Sequence, residues 1–246
     1  MKKLYMLLLT AALLSLKVNS TLAQIDAAPG FQVDGKFCTM VNLEYLIYLP
    51  KDYAQNSSKE WPLLLFLHGA GERGDNVEFV SLWGPPNIAE EKEFPFIVLS
   101  PHCPSDKSWA NLLLPVKELL DEIIIKYRVD LSRIYITGLS MGGYGTFLMM
   151  ENYPEYFAAY APITGGGNPM AVSRYSNVPG WVFTGDQDNV VPPYNSMVMV
   201  DSLKAHGADI KLSVFKGLGH WLAWEPAYRE SELFDWFLTK RKNYRD

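Results

Sequence analysis

Arg133–Tyr144 reads RIYITGLSMGGY. The β-branched and aromatic run Ile134-Tyr135-Ile136-Thr137 predicts a strand. Gly138-Leu139-Ser140-Met141-Gly142 then predicts a sharp turn carrying one serine, with a helix over Met141–Tyr153. A reversal this tight forces its central residue into strained backbone angles, and it closes only where the residues two positions away lack bulky side chains. Gly138 and Gly142 meet that demand, and Gly143 and Gly145 allow the helix to pack closely on its strand. Ser140 is thereby placed at the carboxyl end of a strand, above a helix N-terminus whose free N–H groups favour developing negative charge. A serine in that setting is a candidate nucleophile.

The rest of the chain supplies a matching scaffold. Alternation from Phe37 to Leu49 predicts two antiparallel strands, ended by Pro50, after a loosely held arm from Gln24 to about Gly35. Leu63–Leu67 is a five-residue apolar run, too short for a helix and typical of a strand buried on both faces. Phe96–Ser100, Tyr160–Ile163, Gly180–Thr184 and Ile210–Phe215 read as further strands. Leu112–Tyr127, Pro193–His206 and Ala227–Lys240 read as helices, the second stopped by Gly207. Strands alternating with helices predict an α/β fold whose mostly parallel sheet carries helices on both faces. In such sheets the functional edge is the carboxyl end of the strands. The stretch from Pro162 to Gly180 is short and polar, so no large lid is expected there.

Composition bounds the function. The chain has 246 residues, and its start predicts an export signal: Lys2 and Lys3, an apolar run Leu4–Leu16, then Thr21-Leu22-Ala23. Cleavage near Ala23 leaves 223 residues, a single domain over 24–246, and removes three lysines and no acid, moving the formal charge from −5 to −8. That acidity argues against nucleic acid. The apolar run is shorter than a membrane span and Lys17 interrupts it, so stable membrane insertion is not expected. Cys38 and Cys103 are the only cysteines; an exported setting permits a bridge between them, and apolar burial is the equal alternative. No CxxC or His/Cys cluster suggests a metal, and no cofactor is called for. Oligomeric state is left open.

A serine nucleophile needs a base to take its proton and a carboxylate to fix that base's tautomer. In sheets with this elbow the carboxylate and then the histidine follow the serine in chain order. Only His206 and His220 follow Ser140. His206 lies at a helix end beside Gly207, where a surface role suits it; His220 lies in the glycine-bearing loop KGLGHW after a strand, where the base is expected. The strand WVFTG runs into Asp186-Gln187-Asp188, so both aspartates sit at a strand end. An oxyanion also needs two backbone donors. One is Met141 N–H. The other is expected in LLLFLHGAGERGDN after an earlier strand, with Ala70 N–H the first candidate and Gly71 the second. His68 reads either as a second base or as a structural brace of that turn, and the brace is favoured. Glu72, Arg73 and Asp75 are read as bracing the same loop, with substrate contact as the alternative.

The segments FLHGAGERGDN, PHCP before Trp109, DLSRIYITGLSMGGYGT, VFTGDQDNVVP and GLGHW span nearly the whole chain in one order. In these the sequence resembles α/β-hydrolases of the prolyl oligopeptidase, dienelactone hydrolase and carboxylesterase branch, and most of all single-domain feruloyl and acetylxylan esterases. The resemblance implies the α/β-hydrolase fold, Ser140 as nucleophile, Asp188 and His220 as its partners, and Ala70 with Met141 as the oxyanion hole. Gly-x-x-Asp before Val-Val-Pro is that group's usual acid loop, which selects Asp188 over Asp186. His102 departs from the pattern, standing where such relatives often carry glutamine.

Trp109, Trp221 and Trp224 fall in or beside site loops and are candidate substrate contacts, since flat aromatic surfaces suit sugar rings or aryl groups. The expected activity is ester hydrolysis through an acyl-enzyme, on small esters or on feruloyl or acetyl groups of plant polysaccharide. A serine peptidase, a broad short-chain carboxylesterase and a non-catalytic binding module are the alternatives. Complete candidate partners for Ser140 count against the last.

Overall fold

The computed structural model describes residues 29–38, 42–55, 57–91 and 93–242, with the backbone alone for Phe37, Cys38 and Asn42. The expected export signal over 1–23 and the Cys38 side chain lie outside the described residues.

Among the described residues, eight strands build one sheet: β1 (Gln32–Cys38), β2 (Asn42–Tyr48), β3 (Trp61–Leu67), β4 (Ile97–Pro101), β5 (Val129–Leu139), β6 (Ala159–Ile163), β7 (Gly180–Gly185) and β8 (Ile210–Phe215). Their spatial order is β1-β2-β4-β3-β5-β6-β7-β8. β1 pairs antiparallel with β2, and β2 antiparallel with β4. From β4 to β8 every pairing is parallel. The chain leaves β3 toward β4 on one side and returns to β5 on the other, so strand order reverses between β3 and β5. A crevice opens at the carboxyl ends of strands at such a switch point. The turns after β3 and β5 carry His68–Arg73 and Ser140, the stretches singled out above.

Among the described residues, five α-helices accompany the sheet: α1 (Pro85–Ile88), α2 (Leu113–Lys126), α3 (Met141–Asn152), α4 (Pro193–Ala205) and α5 (Leu233–Leu238). The two-residue period of β3 sorts its side chains between two cores. Leu63, Leu65 and Leu67 pack with Val116, Leu120 and Ile123 of α2, Phe147 and Met150 of α3, and Met199 and Leu203 of α4. Leu64 and Phe66 pack on the other face with Ile88 of α1 and with Leu233, Phe234 and Phe237 of α5. Every residue of β3 is buried. Each fully buried side chain of this size contributes about 1.5–3 kcal/mol, so this central run anchors both layers.

Two expectations need correction. β1 begins at Gln32, inside the stretch read as a loose arm, because its register from Gln32 opposite Tyr48 to Cys38 opposite Asn42 is continuous. The closing helix is not continuous either. A single π turn over Pro226–Glu230 is followed by extended backbone at Ser231, whose hydroxyl takes the N–H of Leu233 at 3.2 Å, and α5 starts there. A serine competing for backbone hydrogen bonds breaks a helix in this way. Among the described residues, no helix is long and apolar enough to cross a membrane.

Candidate active site

Ser140 adopts φ 57° and ψ −113° between β5 and α3. Positive φ at a non-glycine residue stores about 1–3 kcal/mol and persists only where surroundings impose it. Here the Ser140 N–H donates to Ile163 O at 2.9 Å, and the Tyr144 N–H takes Ser140 O at 3.1 Å. The flanking glycines are required by close approach. A Cβ on Gly142 would lie 1.7 Å from Leu67 O, and one on Gly138 would lie 2.3 Å from Gly142 O. Backbone cannot yield cheaply, so Gly142→Ala should exceed the ~1–3 kcal/mol usual for overpacking. A urea-unfolding midpoint measures this. A loss under ~1 kcal/mol would show that the elbow is looser than described.

The loops after β7 and β8 bring two more side chains to Ser140. The His220 imidazole lies with Nε2 2.8 Å from Ser140 Oγ and Nδ1 2.7 Å from Asp188 Oδ2. An ionised carboxylate only accepts, so Nδ1 carries the proton toward Asp188 and Nε2 accepts from the serine hydroxyl. Asp188 Oδ1 accepts the N–H groups of Val190 at 2.9 Å and Val191 at 2.8 Å. Asp188 is 5% exposed and His220 4%. Asp186, by contrast, is exposed and accepts the Gly217 N–H at 2.7 Å, a turn contact between the two loops. His206 is exposed on the last turn of α4, its Nδ1 donating to Ser202 O at 2.8 Å.

The turn after β3 lies across the crevice, with Ala70–Glu72 in one 3₁₀ turn. A Cβ on Gly69 would lie 3.8 Å from Ser140 Cβ, so this turn abuts the elbow. Ala70 lines the same pocket as Ser140 and His220, and Met141 opens α3 directly after the serine. Side chains brace the turn from outside. Trp109 Nε1–H donates to His68 O at 2.9 Å, and His102 Nε2–H donates to Glu72 O at 2.9 Å. Arg73 Nε–H reaches Ala70 O, and its Nη1–H reaches Lys107 O, both at 3.1 Å. Both ring nitrogens of His68 are bound to backbone, Nδ1 to Gly69 O at 2.6 Å and Nε2 to the Cys103 N–H at 2.9 Å, so it is no second base for Ser140. Cys103 itself is a buried free thiol whose pKa burial pushes up to about 11. Asp75 lines a separate groove with Glu44 and Glu78.

The pocket beside Ser140 has a volume of about 160 Å³ and is lined mainly by Trp83, Leu139, Val190, Trp221 and Trp224 around the polar groups already named. Trp221 is exposed and packs edge-on against the His220 ring at 5.3 Å, while Trp224 sits deeper, 5.1 Å from Trp83. Trp109 corrects the expectation placed on it. It is 1% exposed beneath the turn, edge-on to the His68 ring, and does not line the pocket beside Ser140. Trp83 was not singled out in the sequence. It ends the 3₁₀ stretch Val77–Leu82, where no periodicity marks it, though the cluster Phe79, Leu82 and Trp83 just past the turn is an apolar signal. Glu72 is the further polar wall; burial raises its pKa, against the pull of the Gly69 and Glu72 N–H groups and the Trp83 indole. Among the described residues, no group of three or more His, Cys, Asp or Glu could hold a metal ion.

The chain is similar to several known proteins. The family model described as "Prolyl oligopeptidase family" matches residues 167–243, which include Asp188 and His220. A solved thermostable esterase is 33% identical with a TM-score of 0.76, over 86% of this chain and 63% of its own. Poly(3-hydroxyalkanoate) depolymerase C of Paucimonas lemoignei is 41% identical over 63 residues, 26% of this chain and 15% of the relative. A bifunctional acetylxylan esterase/xylanase of Neocallimastix patriciarum is 28% identical over 150 residues, 59% of this chain and 21% of the relative. The chain thus spans about a fifth or less of the length of these two curated relatives.

Proposed function

From the α/β-hydrolase fold that this chain adopts, we propose that it is a serine esterase acting through an acyl-enzyme. The observation that carries the reading is the unbroken chain Asp188–His220–Ser140, with both links under 3 Å, opening on an apolar pocket. His220 takes the Ser140 proton as Oγ attacks the ester carbonyl. The N–H groups of Ala70 and Met141 hold the oxyanion, His220 protonates the departing alcohol, and a water activated by His220 releases the acid.

The pocket bears on the acyl group. An apolar cavity of ~150 Å³ holds one benzene ring, and this pocket is about that size with three tryptophans in its wall. An aryl acyl group fills it where an acetyl group leaves most of it empty. Similarity to an acetylxylan esterase supports acylated plant polysaccharide or oligosaccharide as the source of that ester, and the apolar start of the sequence fits an exported enzyme. Methyl ferulate should therefore exceed methyl acetate in kcat/KM by about tenfold or more, the discrimination one or two filled methylene volumes provide. The prolyl oligopeptidase model over residues 167–243 favours a second reading as a peptidase. Aminoacyl p-nitroanilides decide between them: amide cleavage faster than ester cleavage overturns the esterase reading, and failure of Ser140 to label with a fluorophosphonate overturns both.

A further inference from the structure

The pocket wall holds a carboxyl for which the reaction as written has no task. Glu72 is 5% exposed, yet it lines the pocket beside Ser140 together with Trp83, Trp221 and Trp224. Its Oε2 is buried and has no hydrogen-bond partner among the described residues. Buried polar atoms are bonded as a rule, and an unpaired buried carboxylate is costlier still. The neighbouring chain does not supply the partner. Arg73 spends its guanidinium on Ala70 O and Lys107 O, both at 3.1 Å. His68 Nδ1 stands 3.9 Å from Oε2, but it donates to Gly69 O at 2.6 Å, and burial keeps the ring neutral by lowering its pKa to about 3. Burial raises the pKa of Glu72 itself. The Gly69 and Glu72 N–H groups and the Trp83 indole pull against that rise, yet none of them bonds Oε2.

Position says what the missing partner must be. A Cβ on Gly69 would stand 2.9 Å from Glu72 Oε2 and 3.8 Å from Ser140 Cβ, so the place of one carbon separates the carboxyl from the nucleophile. An acyl group on Ser140 Oγ therefore brings its first carbons to Glu72, not its far end. Resting on the esterase reading of this site, we infer that Glu72 is a specificity-determining residue that accepts a hydrogen bond from a hydroxyl or amino group on the carbon beside the ester carbonyl. The substrate class is then an ester of an α-hydroxy or α-amino acid whose aryl side chain lies against the tryptophans. Charge points the same way. A bare carboxylate this close to the nucleophile opposes the negative charge that gathers on the carbonyl oxygen, and a donor held on it offsets that opposition. An acetyl group brings no such donor, and a feruloyl group carries its hydroxyl at the far end of the ring.

Three methyl esters test this on the full chain. Hydrocinnamate, phenyllactate and phenylalanine share one aryl chain and differ only beside the carbonyl, which bears hydrogen, hydroxyl or an amino group. The readout is the ratio of kcat/KM for a donor-bearing ester to that for hydrocinnamate, compared between wild type and variant so that intrinsic ester reactivity cancels. In Glu72→Leu the ratio should fall by about 10–100-fold, the worth of one hydrogen bond to a charged group, while hydrocinnamate turnover stays within about threefold or rises. A fall for phenyllactate assigns a hydroxyl and a fall for phenylalanine an amino group; either upholds the role. Glu72→Gln keeps the shape of the side chain and a neutral acceptor, so its ratio should fall less, and it decides the matter where Glu72→Leu does not fold. Ratios unchanged within about threefold for both donors, or an equal loss on all three esters as a purely structural residue would give, overturn the proposal. Wild-type turnover of hydrocinnamate upholds the esterase reading whatever the ratios show, and wild-type inactivity on all three esters faults that reading and the proposal with it.

Discussion

Ser140→Ala lowers kcat on p-nitrophenyl acetate by about 10⁶-fold, the scale seen when a triad nucleophile is removed. The argument is geometric. On the proposed mechanism, the other groups within reach of a bound carbonyl are the His220 imidazole, whose Nε2 would face an empty position, and the backbone donors of the turn after β3, which would hold the oxyanion but not attack. Substrate affinity should survive, since the pocket wall of Trp83, Val190, Trp221 and Trp224 does not depend on the hydroxyl. Folding should survive as well. Alanine tolerates φ 57° no worse than serine, and the contacts that impose the turn run through the backbone at Ile163 and through Gly138 and Gly142. Thermal unfolding within ~2 °C of wild type, alongside lost turnover, is the expected pair of results. Retained turnover of an activated ester at more than about a hundredth of the wild-type rate would remove Ser140 from the mechanism.

The elbow is legible because its constraint is local. Glycines at 138 and 142 are demanded by backbone atoms 2.3 and 1.7 Å from where a Cβ would stand, whatever the remainder of the chain does. The strands were readable for a similar reason: Leu63–Leu67 is apolar at every position because both faces of β3 are covered. Depth was not readable. Trp109 and Trp221 both follow site loops in the sequence, yet one lies 1% exposed under the turn and the other 72% exposed at the rim. Nothing in their neighbours' identities separates them; the Trp109 indole finds His68 O only through tertiary packing. The choice between Asp186 and Asp188 was open on residue types alone. What separates them is the partner each one meets across to the loop after β8, Gly217 for the first and His220 for the second. Trp83 was missed because an irregular stretch supplies that wall, where no period betrays which side chain turns inward.

Asp188→Asn should cost about 10⁴-fold in kcat, and the reason lies in how both carboxylate oxygens are used. Oδ1 accepts two backbone N–H groups, from Val190 and Val191, while Oδ2 accepts from His220 Nδ1. An asparagine amide offers one oxygen and one NH₂. Placing the NH₂ at Oδ1 would set it against two donors in a buried loop, so the oxygen takes that position and the NH₂ faces His220. The imidazole then has to accept at Nδ1, which puts its proton on Nε2, toward Ser140. That tautomer donates to the serine hydroxyl and cannot take its proton. The residue is held, the ring stays in place, and only the proton moves to the wrong nitrogen. A crystal structure of the variant should superpose on wild type around His220, and imidazole nitrogen-15 shifts should report the Nε2–H tautomer. Full activity in Asp188→Asn together with a large loss in Asp186→Asn would transfer the carboxylate role to Asp186 and break the account of the site given by these distances.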